Sequence, residues 1–101
     1  MALESSIQVG IMKMLRSIPE SEWIKPTVTN KKGETDTIGH VQGYAIYIEF
    51  KRGKERKPEA LQQYRIEKHR HFGAVAFWTY SVPDCREKLR LFLALKGIVL
   101  Q

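Results

Sequence analysis

Apolar residues recur at helical intervals at the start of the chain, where Leu3, Ile7, Ile11, Met14 and Leu15 lie between Ala2 and about Ser17. That spacing predicts an amphipathic helix, weakened by Gly10 and ended before Pro19. The pattern then changes. Trp23 to Thr29 (WIKPTVT) is rich in β-formers, but Pro26 cannot donate to a ladder and predicts an edge strand. Asn30-Lys31-Lys32-Gly33 reads as a turn. Two more strands are expected, over roughly Thr35 to His40 and Tyr44 to Lys51, separated by a turn at Gln42-Gly43. In the second, Ile46, Ile48 and Phe50 alternate with Tyr47, Glu49 and Lys51, so one face is apolar and the other polar.

A basic loop from Arg52 to Lys57 follows. Pro58 suits the first turn of a helix and Glu59 its N-terminal dipole; this helix should run to about Phe72 and stop at Gly73. Its apolar stripe is expected to be Leu61, Tyr64 and the stem of Lys68. Ala74 to Thr79 (AVAFWT) is a continuous apolar run, as in a strand covered on both faces. Ser81-Val82-Pro83-Asp84 caps a last helix expected through Lys96, with Gly97 as terminator and Leu89, Phe92, Leu93 and Lys96 facing inward. The order is α-β-β-β-α-β-α. A helical crossover between the third and fourth strands makes that pair parallel and the sheet mixed. The fold class is therefore α/β, a small mixed sheet flanked by helices, with no repeat or linker.

Length fits one domain over 1–101, because 101 residues leave no room for a second core. Seventeen Lys and Arg against eleven Asp and Glu give a net charge of +6. Such a surplus predicts a polyanionic partner, most often nucleic acid. No apolar run is long enough for a membrane span, and Glu4 stands where a signal peptide would be basic. The single cysteine, Cys85, allows no internal disulfide and suits a reducing cytosol. At the first turn of the last helix its thiol pKa is expected to fall somewhat. No paired histidine and acid accompany it as in a thiol enzyme. His69 and His71 point to different sides of one helix and do not suggest a shared metal.

Gly33-Glu34-Thr35-Asp36 followed by Glu49-Phe50-Lys51 does not read as generic folding. Glu49 and Lys51 project to one side of a strand, and a hairpin could bring Asp36 beside Glu49. Two carboxylates at one point repel unless a cation lies between them. All-oxygen ligands favour Mg²⁺ or Mn²⁺, and an adjacent ammonium could stabilise charge developing on a phosphate. Those parts describe phosphodiester hydrolysis. An acid-x-Lys sequence on an exposed strand face is, by itself, common.

These residues, in this order, resemble the virus-type replication-repair nuclease (VRR-NUC) domain, the compact branch of the PD-(D/E)XK nuclease superfamily. The shared order is Glu4 in a first helix, Gly33-x-x-Asp36, Ile48-Glu49-Phe50-Lys51, a Gly/Lys-rich loop, then Gln62 eleven residues before Gly73. The resemblance implies a restriction-endonuclease-like core and a divalent-metal endonuclease. It also implies a homodimer that cuts branched DNA such as four-way (Holliday) junctions, acting in a bacterial host's cytoplasm if the chain is viral. Asp36, Glu49 and the Phe50 carbonyl would be metal ligands, Lys51 the catalytic lysine, Glu4 the first-helix acid, and Gln62 the residue positioning the lysine and the attacking water. Thr35 stands where the family usually has proline. Ala60-Leu61 separates Pro58-Glu59 from the glutamine, so Gln62 and Gln63 compete, and counting back from Gly73 favours Gln62.

Arg52, Lys54, Arg56 and Lys57 in the loop, Arg65 on the next helix, and Lys31 and Lys32 in the turn are the expected DNA contacts. Leu91-Phe92-Leu93 with Ile98-Val99-Leu100 is the expected dimer surface. The competing reading is a non-catalytic basic module that binds nucleic acid without metal.

Overall fold

The computed structural model describes residues 4–26 and 34–100, with the side chains of Glu4 and Ser5 outside that description. The expected turn at 30–33, with Lys31 and Lys32, also lies outside the described residues. Helix α1 (Glu4–Arg16) buries Ile11 and Leu15 completely, one turn apart. Gly10 weakens the helix but serves packing: a Cβ there would stand 3.1 Å from Val82 Cγ2, so glycine lets α1 lie close against the last helix.

Strand β1 (Ser21–Ile24) begins earlier than the β-rich run suggested and leaves Lys25 and Pro26 outside it, while 27–29 of that run lie outside the described residues. Pro26 has no ladder donor, and pairing stops at Ile24. The start is tertiary in origin. Trp23 lies buried across Gly39, where a Cβ would come within 2.4 Å of the indole, and that packing recruits Ser21 and Glu22 into the pair. Strands β2 (Thr37–Val41) and β3 (Tyr44–Phe50) form the expected hairpin. Gln42 and Gly43 both take positive φ, 49° and 89°, as a two-residue primed turn requires.

Helix α2 (Ala60–His71) starts after Pro58, with Glu59 as N-cap, rather than placing proline in its first turn. The Glu59 N–H donates to Gln62 Oε1 at 3.0 Å, which fixes the helix start at that residue. Gly73, at φ 94°, ends the turn after α2. Strand β4 (Val75–Thr79) pairs parallel with β3, and α3 (Val82–Ala94) begins where Ser81 Oγ accepts from Asp84 N–H at 3.1 Å.

The sheet order is β1-β2-β3-β4, antiparallel except for the last pair. Ile46, Ile48 and Phe50, with Val75 and Phe77, form the core with Ile11 and Leu15 of α1 and Leu89 and Leu93 of α3. Helix α2 covers the other face of β3 and β4 and contributes Ile66 as its buried apolar residue. As edge strand, β4 has outward carbonyls that are capped: Arg70 Nε donates to Ala76 O at 2.7 Å and Lys88 Nζ to Trp78 O at 2.8 Å. Among the described residues no helix is long and apolar enough to cross a membrane.

Two further expectations are overturned. Leu61 and Tyr64 do not pack inward; they are 44% and 52% exposed. The inward face of α2 is instead Gln62, Ile66 and His69, which recur at helical spacing but are mostly polar. The Cys85 thiol is not lowered. Burial, then the neighbouring Asp84 charge, pushes it up to about 12.

Candidate active site

The hairpin register decides where the two acids meet. Thr37 pairs with Ile48, so Asp36 follows in line opposite Glu49, at the end of the antiparallel ladder. Asp36 Oδ2 accepts the Phe50 N–H at 2.7 Å, taking the place of the main-chain carbonyl that would continue the ladder. Strand alternation puts Phe50 into the core and turns Glu49 and Lys51 toward α2. The parallel ladder extends one residue past Phe50 through Lys51 N–H to Thr79 O at 2.8 Å, which anchors the lysine backbone. Thr79 Oγ1 in turn donates to Asp84 Oδ2 at 2.7 Å.

Gln62 joins the parts. Its Nε2 donates to Glu49 Oε2 at 2.6 Å, while its Oε1 accepts from Lys51 Nζ at 2.7 Å and from Glu59 N–H. Two donors on the amide oxygen leave only one orientation, with the amino group facing the carboxylate. Lys51 Nζ also lies 3.4 Å from Glu49 Oε2. Gln63, the competing glutamine, bonds Glu67 at 3.1 Å on the outer side of α2.

Glu49 is only 3% exposed. Burial, then the charge and contact of Asp36, push its carboxyl up to about 8, and Lys51 only partly counters this. Glu49 Oε1 is buried without a hydrogen-bond partner. A buried carboxylate oxygen with no donor, beside a second carboxylate, suits a hard cation, and the donor set is all oxygen. Among the described residues no three His, Cys, Asp or Glu side chains form a group that could by itself hold a metal ion. Two carboxylates and a carbonyl would leave much of an octahedral sphere to water and substrate. That composition fits Mg²⁺ or Mn²⁺ better than zinc.

The other expected residues fall around this centre. Glu4 is the first residue of α1, and its side chain lies outside the described residues. Arg52, Lys54, Arg56 and Lys57 are exposed on the loop leaving the site, where Arg56 N–H closes a turn onto Gly53 O at 3.0 Å. Arg65 is half-buried and lends its charge to Glu34. Lys68 Nζ and the Arg65 guanidinium sit 5.6 and 5.9 Å from the ring centre of exposed Tyr64. His40 is exposed near Glu22 on β2, toward the end away from Asp36.

One group escaped the sequence reading. Glu34, His69 and Tyr47 cluster beside the acids, with His69 Nε2 2.7 Å from Glu34 Oε1 and its ring stacked on Tyr47 at 3.5 Å. Burial raises the Glu34 carboxyl, but the bonds from His69 and Thr35 N–H and the charges of His69 and Arg65 outweigh it, leaving the group below its usual range. The signal was present in the spacing of Gln62, Ile66 and His69, and in Glu34 lying two residues before Asp36.

No protein-family model and no curated protein matches the sequence. The fold is similar to that of a solved structure titled "VRR_NUC domain". The match has a TM-score of 0.72 and 20% identity, and covers 89% of this chain and 94% of that one. The chain thus has the fold of a VRR_NUC domain, and the expected small mixed α/β architecture holds.

Proposed function

We propose that this chain is a divalent-metal-dependent endodeoxyribonuclease that hydrolyses phosphodiester bonds, acting on branched DNA such as four-way junctions. The observation that carries this reading is the buried Glu49 carboxylate, set against Asp36 with one oxygen unpartnered and the other beside a fixed lysine. Asp36, Glu49 and the Phe50 carbonyl would hold Mg²⁺ or Mn²⁺, with Glu4 as a further acidic ligand. When bound, such an ion supplies Lewis acidity, lowering the pKa of the attacking water and withdrawing charge from the phosphate.

The remaining chemistry belongs to the chain. Lys51 directs an ammonium at charge developing on the phosphate oxygens. Gln62 holds that ammonium in one place, so little reorganisation is needed as charge develops. Burial of Glu49 excludes bulk water from the acid side of the site. Arg52, Lys54, Arg56 and Lys57, exposed next to Lys51, would follow the DNA backbone, with Lys31, Lys32 and Arg65 extending the contact.

A homodimer belongs to the same proposal, since a two-fold assembly suits the two equivalent strands of a junction. Of the expected surface, Leu93 and Ile98 are core residues, whereas Leu91 and Val99 are exposed and free to form a contact. The non-catalytic alternative would account for the basic loop but leaves the buried, unpartnered carboxylate oxygen without a purpose.

The test is cleavage of end-labelled branched, single-stranded and linear DNAs with and without Mn²⁺. Wild type should cut the branched substrate only with metal, and Lys51→Ala should bind it while cutting at least about a hundred-fold more slowly. A variant that still cuts at the wild-type rate removes the lysine from the chemistry. Binding without any nicking by wild type favours the alternative.

A further inference from the structure

His69 and Glu34 take no part in the chemistry proposed above, yet both are largely buried, with side chains only 19% and 12% exposed. Two donors converge on one oxygen of Glu34: His69 Nε2 at 2.7 Å and Thr35 N–H at 3.0 Å, a donor that proline at that position would lack. An ionised carboxylate only accepts, so the histidine nitrogen facing it carries the hydrogen. The ring is fixed from its face as well, lying within 6° of parallel to Tyr47, which occupies the same face of β3 as Glu49. Immediately after this clamp, the chain presents Asp36, whose Oδ2 holds the Phe50 N–H. Helix α2 therefore grips the site twice. Gln62 near its start holds Glu49 and Lys51, and His69 near its end holds the segment carrying Asp36.

We propose that His69 is a positioning residue that, through Glu34, holds Asp36 opposite Glu49. Its consequence for metal binding rests on the nuclease reading; its effect on Asp36 does not. Freed of the clamp, the segment from Glu34 to Asp36 is kept in register, among the described residues, by the buried Thr35, whose hydroxyl donates to Thr37 O at 3.3 Å, and by the Asp36 bond to Phe50.

Amide hydrogen exchange by NMR on the metal-free full chain separates this role from general stability. The Phe50 amide reports on Asp36, and the Lys51 amide, held by Thr79 O, is the neighbouring control. His69→Phe keeps a ring on Tyr47 and removes the donor, whereas His69→Gln keeps a donor and removes the ring. Glu34→Ala approaches from the other partner and serves should His69→Phe not fold. His69→Phe and Glu34→Ala should each speed exchange at Phe50 by about ten-fold, with Lys51 unchanged and His69→Gln close to wild type. The double variant should be no worse than either single one. Calorimetric Mn²⁺ affinity should fall by about ten-fold in the same two variants.

Unchanged Phe50 exchange in both variants overturns the proposal, and so does equal acceleration at Phe50 and Lys51. Wild-type protein that binds no Mn²⁺, with Phe50 protection still lost on substitution, overturns the nuclease reading and upholds the positioning role.

Discussion

Glu49 concentrates the tension in this molecule, because a strand end built for the core carries a carboxylate that is 3% exposed. In the metal-free protein its pKa rises from 4.5 to about 8, burial being the main cause. The folded state then keeps a proton that the unfolded chain releases near its ordinary pKa. This contribution to stability is present in full below about pH 4.5 and is lost as pH rises through 8, a change on the order of a few kcal/mol. Melting temperature of metal-free protein should therefore decline from pH 5 to 8. Glu49→Gln should flatten that decline and melt higher at pH 8, since an amide can keep the Gln62 bond and donate toward Asp36. Saturating Mg²⁺ should reverse the slope, because a cation favours the charged form. A Glu49→Gln melting profile parallel to wild type would contradict this account. The acid pair and Lys51 were legible in the sequence because strand alternation places residues two apart on one side. What was not legible was that Glu49 Oε1 lacks a partner, which depends on packing from α2.

Helix α2 shows where pattern reading reaches its limit. Its most apolar stripe, Leu61 and Tyr64, faces solvent, and its buried face is Gln62, Ile66 and His69. Hydrophobic periodicity locates a core face only where the core is apolar; here the helix covers a polar site and its polar residues turn inward. The glutamine register follows from that orientation. Gln62→Ala removes the bond to Glu49 and frees the lysine, and should reduce cleavage by about ten-fold or more, whereas Gln63→Ala should cut at the wild-type rate. Equal loss in both variants, measured as single-turnover rates on one junction, would place the effect outside the site. The strands behaved differently. Thr35 to His40 and Tyr44 to Lys51 were legible to within two residues because alternation and the Gln42-Gly43 turn agree. The first strand moved because Trp23 on Gly39 is a contact that no local pattern reveals.

Across the whole molecule, sidedness joins fold to function. Helices α1 and α3 and one sheet face make the apolar core, and the other face, under α2, carries the acids, the lysine and the clamp. A net charge of +6 and its clustering next to Lys51 are read from the sequence, and the fold adds that the side chains of that loop are exposed beside the site. Replacing Lys54, Arg56 and Lys57 together by Ala should weaken junction binding and lower its log–log salt slope by about two to three. Cleavage at saturating DNA should be largely retained. An unchanged slope would assign the DNA path elsewhere.

The most direct test is the anomalous scattering of Mn²⁺ in crystals of the wild-type protein. One peak in contact with Asp36, Glu49 and the Phe50 carbonyl is the expected result. Full diffraction from Mn²⁺-soaked crystals with no peak between those carboxylates, or with manganese bound only elsewhere, would contradict it.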